Sequence, residues 1–105
     1  ISCSNIASAY MNGDGVAVNY SKSIEYAKLG CENNSGYSCG LLTYYSLFGI
    51  GTKLDYKEAL SYGEKGCDLN DSSSCNMLGL AYDEGKGVKQ NYGKAKEYYG
   101  NFFKT

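Results

Sequence analysis

Histidine, proline, tryptophan and arginine are all missing from this 105-residue chain, and each absence narrows what the chain can be. Without histidine it lacks the usual general base near neutral pH and the commonest metal ligand. Without proline, long stretches are free to be helical. All ten basic residues are lysine, they form no cluster, and the formal net charge is -1, so a nucleic-acid or anionic-membrane partner has little support. No apolar run approaches the roughly 20 residues needed to cross a bilayer, so no membrane insertion is expected. None of the five cysteines stands in a C-x-x-C pair and no histidine completes a zinc site, so neither a metal nor a cofactor is expected. The chain opens at Ile1 with no signal peptide, which points to a processed or excised piece of a longer protein.

What is abundant is as informative. Five cysteines in a short chain imply disulfides and an oxidising compartment, secreted or periplasmic. Twelve tyrosines, each with an apolar body and a polar tip, suit half-buried positions in thin layers. At this length the chain is one domain with a modest core, unless stacked units bury each other's apolar faces.

Stacking is what the sequence encodes. A shift of 36 residues superimposes Cys3 on Cys39 and Cys75, and Cys31 on Cys67. It also aligns Gly13 with Gly49 and Gly85, Gly15 with Gly51 and Gly87, Tyr20 with Tyr56 and Tyr92, and Tyr26 with Tyr62 and Tyr98. Such a period marks a helical-hairpin solenoid. The expected fold is all-α: an α/α solenoid of three helix–turn–helix repeats, at about 2–37, 38–73 and 74–105. The first helix of each unit is expected over 2–12, 38–48 and 74–84, stopped by the first glycine of a G-x-G, with Ser2, Ser38 and Ser74 as its N-caps. The second is expected over 20–33, 56–69 and 92–103, capped by Asn19, Asp55 and Asn91. Ser23, Ala59 and Ala95 form a row of small residues in it that lets a neighbouring helix approach.

The cysteine registry predicts two staples, Cys31–Cys39 and Cys67–Cys75, each eight residues apart and each joining a second helix to the first helix of the next unit. Cys3 is left as the second member of a pair whose partner falls outside the chain, which predicts further repeats upstream. Its alternative is a free thiol able to form an intermolecular disulfide in an otherwise monomeric protein. Where the third unit would carry the first cysteine of a pair it carries Phe103, so Phe102 and Phe103 are expected to close the array.

The run Gly79-x-x-Tyr82-x-x-Gly85-x-Gly87-Val88, followed by Asn91-Tyr92-x-Lys94-Ala95-x-x-Tyr98-Tyr99, resembles the Sel1-like repeat, a relative of the tetratricopeptide repeat. With cysteine pairs eight apart in a 36-residue unit, the chain resembles the Helicobacter cysteine-rich protein family. The resemblance implies a secreted or periplasmic adaptor that holds a protein or peptide in a concave groove and that acts on host cells. Its alternative implication is a penicillin-binding protein or weak β-lactamase.

The sequence offers little chemistry to support an enzyme, and no catalytic residue is assigned. Gly36-Tyr37-Ser38-Cys39-Gly40 matches the G-x-S-x-G nucleophile elbow, but there is no histidine to take the proton, and Ser38 recurs as Ser2 and Ser74. No serine has a lysine three residues on, as the S-x-x-K of β-lactam-binding enzymes requires. Asn19, Asn33 and Asn70 each stand in an N-x-S acceptor pattern, Asn70 in an inter-repeat loop after Asp68.

Binding is the better-supported role. First helices usually line the concave face of such arrays. Ile6, Leu42, Leu78 and the Tyr10/Ser46/Tyr82 row are expected in the core. The rows beside them, Asn5/Leu41/Met77, Ser8/Tyr44/Leu80 and Asn12/Phe48/Glu84, are expected to face a groove, giving Asn5, Ser8, Asn12, Leu41, Tyr44, Phe48, Met77 and Leu80 as candidate binding residues. The competing expectation is that Leu41 and Phe48 belong to the inter-repeat core.

Overall fold

Helix ends in this chain are set by single residues. In the computed structural model, which describes residues 7, 11–13 and 18–103, five helices follow one another: α1 (Tyr20–Glu32), α2 (Gly36–Phe48), α3 (Tyr56–Asp68), α4 (Ser72–Glu84) and α5 (Tyr92–Phe103). Ala7, Met11 and Asn12 are also helical. Asn19, Asp55 and Asn91 each accept a hydrogen bond from the amide three residues on, Lys22, Glu58 and Lys94, all at 3.0 Å. These satisfy donors that a helix start otherwise leaves unpaired.

The first helices of the hairpins begin two residues earlier than the sequence reading placed them. Their N-caps are Ser35 and Asp71, not Ser38 and Ser74. Asp71 Oδ2 accepts from the Ser74 amide at 2.9 Å and from its hydroxyl at 2.6 Å, and Ser35 Oγ accepts from the Ser38 amide at 3.3 Å. Ser38 and Ser74 are thus the receiving ends of the cap, buried inside the first turn. These helices end where expected, at Gly49 and Gly85, both left-handed (φ 66° and 70°), a conformation that costs glycine little.

Successive helices pack as neighbours, and α2 also packs on α4, so the first helices of adjacent hairpins touch across the array. The result is an all-α solenoid, elongated at 42 × 31 × 20 Å. The small row behaves as predicted: Ser23, Ala59 and Ala95 are buried, as are Leu42, Leu78 and Ser46. Tyr82 is half-buried and stacks on Tyr98, ring centroids 5.7 Å apart. Close approach recurs between α4 and α5, where a Cβ on Gly79 would lie 2.6 Å from the Tyr99 ring. Ile6, Tyr10, Cys3 and the side chains of Phe102 and Phe103 lie outside the described residues.

Fully buried Tyr45 anchors α2. Its hydroxyl lies 2.7 Å from Ser23 Oγ, which donates to the Ala7 carbonyl at 2.8 Å. Serine has one proton, and Ala7 receives it, so Tyr45 is the donor to Ser23. Burial raises the Tyr45 pKa above its ordinary value.

Both predicted disulfides form. Cys31–Cys39 ties α1 to α2 with Cα atoms 4.8 Å apart, and Cys67–Cys75 ties α3 to α4 at 4.7 Å. Each closes the turn between the second helix of one hairpin and the first helix of the next. Closing so short a loop stabilises the fold by about 2–3 kcal/mol in the chain-entropy model.

Candidate functional site

An open depression of about 600 Å³ runs across the face formed by α2 and α4. From α2 it takes Tyr37, Gly40, Leu41 and Tyr44; from α4, Ser73, Asn76 and Met77. These are equivalent rows, 37/73, 40/76 and 41/77 being each 36 apart, so the helical spacing i, i+3, i+4 presents one edge of both helices to the same space. Met11 and Asn12 border it before α1, Tyr20 stands at the start of α1, Ile50 follows α2 and Asp71 caps α4.

Its surface is mixed. Leu41, Met11, Met77 and Ile50 supply apolar area, and the amides of Asn12 and Asn76 with the tyrosine hydroxyls supply polar groups. Tyr20 and Tyr44 both pack against the buried Tyr45 ring, at centroid distances of 5.9 and 6.0 Å. Tyr44 nevertheless keeps 41% of its surface exposed, so it is held in place yet accessible. Such a surface offers apolar contact area beside hydrogen-bonding groups.

Four of the candidate binding residues, Asn12, Leu41, Tyr44 and Met77, line this depression. Leu41 does so while belonging to the core, at 7% exposure. Phe48 is exposed but lies outside it, its ring 5.2 Å from Tyr44 and covered by the Lys86 ammonium at 5.5 Å. Leu80 is half-buried and also outside. Asn5 and Ser8 lie outside the described residues. The other eight lining residues, Met11, Tyr20, Tyr37, Gly40, Ile50, Asp71, Ser73 and Asn76, lie outside the predicted set. An expected helix start at 38 leaves Tyr37 between helices, although its row follows from the 36-residue period.

The elbow-like serine is no nucleophile. Ser38 is 0% exposed in the first turn of α2, with helix rather than a strand–turn around it. Of the N-x-S asparagines, Asn19 is engaged as a cap and Asn33 donates to the Leu29 carbonyl, while Asn70 sits exposed in a left-handed turn (φ 65°). Among the described residues no group of acidic or cysteine side chains is arranged to hold a metal ion, and no helix is long and apolar enough to cross a membrane.

Comparison with known proteins agrees with this architecture. The Sel1 repeat family model matches residues 1–35, 37–71 and 72–100. The solved Sel1 repeat protein from Oxalobacter formigenes superimposes with a TM-score of 0.87 at 29% identity, over 96% of this chain and 41% of that one. The structure of c5321, a protective antigen of uropathogenic Escherichia coli strains with an SLR fold, superimposes with a TM-score of 0.90 at 26% identity, over 96% of this chain and 22% of that one. The chain therefore spans about two fifths and one fifth of these structures. No curated protein matches it by sequence.

Proposed function

Since the chain belongs to the Sel1 repeat family, whose members commonly mediate protein–protein interaction, we propose that it is a scaffold that holds an extended peptide segment of a partner protein in the α2/α4 groove, outside the cytoplasm. The observation that carries this reading is the groove itself, which sets an accessible tyrosine, Tyr44, and an exposed amide, Asn76, beside the apolar side chains of Leu41 and Met77. Aromatic residues held in place and ringed by polar groups are what peptide interfaces use as anchors. The two disulfides suggest an oxidising compartment. The disulfides and the resemblance to the Helicobacter cysteine-rich proteins support a reading in which the chain is exported to the periplasm or beyond the cell, with a host protein as the partner. The other implication of that resemblance, binding or hydrolysis of β-lactams, finds no support in the buried Ser38.

A displayed peptide library selected on the oxidised chain tests the reading. Selected peptides are expected to shift the backbone amide signals of Leu41, Tyr44, Asn76 and Met77. The double substitution Tyr44→Ala/Asn76→Ala is expected to weaken them by about tenfold or more with the helical spectrum unchanged. Peptides whose signals map to another face, or whose affinity ignores both substitutions, would refute it.

A further inference from the structure

The groove has a charge signature that its general shape does not require. Of the described residues that line it, Asp71 alone is charged, and no lysine borders it. The carboxylate is held in place, because Oδ2 caps α4 through the amide and hydroxyl of Ser74. Oδ1 takes no part in that cap. The equivalent position one repeat earlier is Ser35, so the charge marks one point of the array rather than repeating along it. Gly40 faces the carboxylate, and any Cβ there would run into it, so the missing side chain leaves Asp71 open to the groove. Three phenol rings, Tyr20, Tyr37 and Tyr44, border the same space.

We infer that the occupant is an extended peptide segment carrying an arginine, whose guanidinium pairs with Asp71 and lies against the tyrosine rings. The inference rests on the groove reading above and adds the chemistry of the anchor. A carboxylate among aromatic faces is complementary to a planar cation, since guanidinium offers paired N–H donors to carboxylate oxygens and stacks on π surfaces. A neutral apolar anchor would use the tyrosines and leave the carboxylate covered by peptide with no opposite charge beside it. A carboxylate anchor would meet like charge. These 105 residues contain no arginine, so the ligand residue comes from outside them.

The test uses the whole oxidised chain and two blocked pentapeptides, Gly-Leu-Arg-Leu-Gly and its twin with citrulline, which keeps the shape of arginine without the charge. Titrations are followed on backbone amide signals. The arginine peptide is expected to shift Tyr37, Tyr44, Asp71 and Asn76 and to bind about fivefold or more tighter than the citrulline peptide. Asp71→Asn preserves the cap, because asparagine serves as well there. It should lower the arginine peptide to the citrulline level and leave the citrulline peptide unchanged. Independently of any variant, raising sodium chloride to about 0.5 M should weaken only the arginine peptide. If both peptides shift the groove amides with equal affinity and ignore salt and Asp71→Asn, the arginine anchor is wrong and the groove reading stands. If neither peptide shifts any groove amide while selected library peptides do, the anchor is again wrong. If no peptide of any kind reaches the groove, both readings fall.

Discussion

The proton chain from Tyr45 through Ser23 to the Ala7 carbonyl makes an asymmetric prediction about stability. Tyr45→Phe removes one donor and leaves Ser23 still bonded to Ala7, so the loss is one net hydrogen bond, about 1 kcal/mol. Ser23→Ala removes the middle link. The Tyr45 hydroxyl, at 0% exposure, then has lost its acceptor, and the Ala7 carbonyl has lost a donor. Stranding such groups costs about 2–3 kcal/mol. Steric loss contributes little to that figure, because Ala59 and Ala95 already occupy the equivalent buried positions. The smaller change in volume is therefore expected to be the more damaging one. The double variant should lie close to Ser23→Ala alone or be milder, since Tyr45→Phe also removes the stranded hydroxyl. Urea unfolding followed by circular dichroism at neutral pH, with both disulfides oxidised, reads all three. For a slope of about 1–1.5 kcal/mol per M the single variants should move the midpoint by roughly 1 M and 2 M. Strict additivity in the double variant, or a Tyr45→Phe loss larger than that of Ser23→Ala, would refute the assigned proton direction.

Two further outcomes follow from packing and titration. Gly79→Val should destabilise by about 2 kcal/mol or more, because the Tyr99 ring occupies the space, whereas Gly100→Ala, with nothing within 4 Å, should be neutral or stabilise by up to about 1 kcal/mol; thermal melts of the pair separate close approach from helix propensity. Burial raises the pKa of Tyr45, Tyr62, Tyr98 and Tyr99 above the ordinary 10.0, so the folded state holds these protons longer than the unfolded chain does. Their contribution is fully present below pH 10.0 and is lost as pH rises through the elevated values. Unfolding midpoints at a series of alkaline pH values should fall above that point as tyrosinate absorbance rises, and a midpoint that rises there would contradict the assignment.

Much of the fold was legible because it depends on local rules. A helix must stop at a glycine that takes a left-handed turn, and Gly49 and Gly85 marked those stops. Second helices start at an oxygen that meets an orphan amide, and the row Asn19, Asp55 and Asn91 carries one in every repeat, whereas the nearby Ser21 becomes Lys57 and Gly93. The first helices did have rivals. Ser35 and Asp71 stand three residues before Ser38 and Ser74, and both residue types cap helices. Identity between repeats favoured the latter pair, whereas the capping geometry uses the former, whose chemistry differs between repeats. That one misplacement hid Tyr37 and Asp71 from the groove. Tyr45 was hidden for a different reason. Its repeat equivalents are Ala9 and Ala81, and a periodicity search rewards agreement while the buried Tyr45–Ser23 hydrogen bond sits at a position where the repeats disagree.

The placement of the disulfides also decides how the array withstands a cut. The exposed turns at 33–34 and 70 lie inside the loops closed by Cys31–Cys39 and Cys67–Cys75. A protease that hydrolyses a peptide bond in either turn releases no fragment, because sulfur bridges the break and the flanking helices stay in register. The glycine turns at 49–55 and 85–91 carry no such bridge. Resistance to proteolysis therefore alternates along the solenoid, and a reductant converts a silent nick into separated pieces.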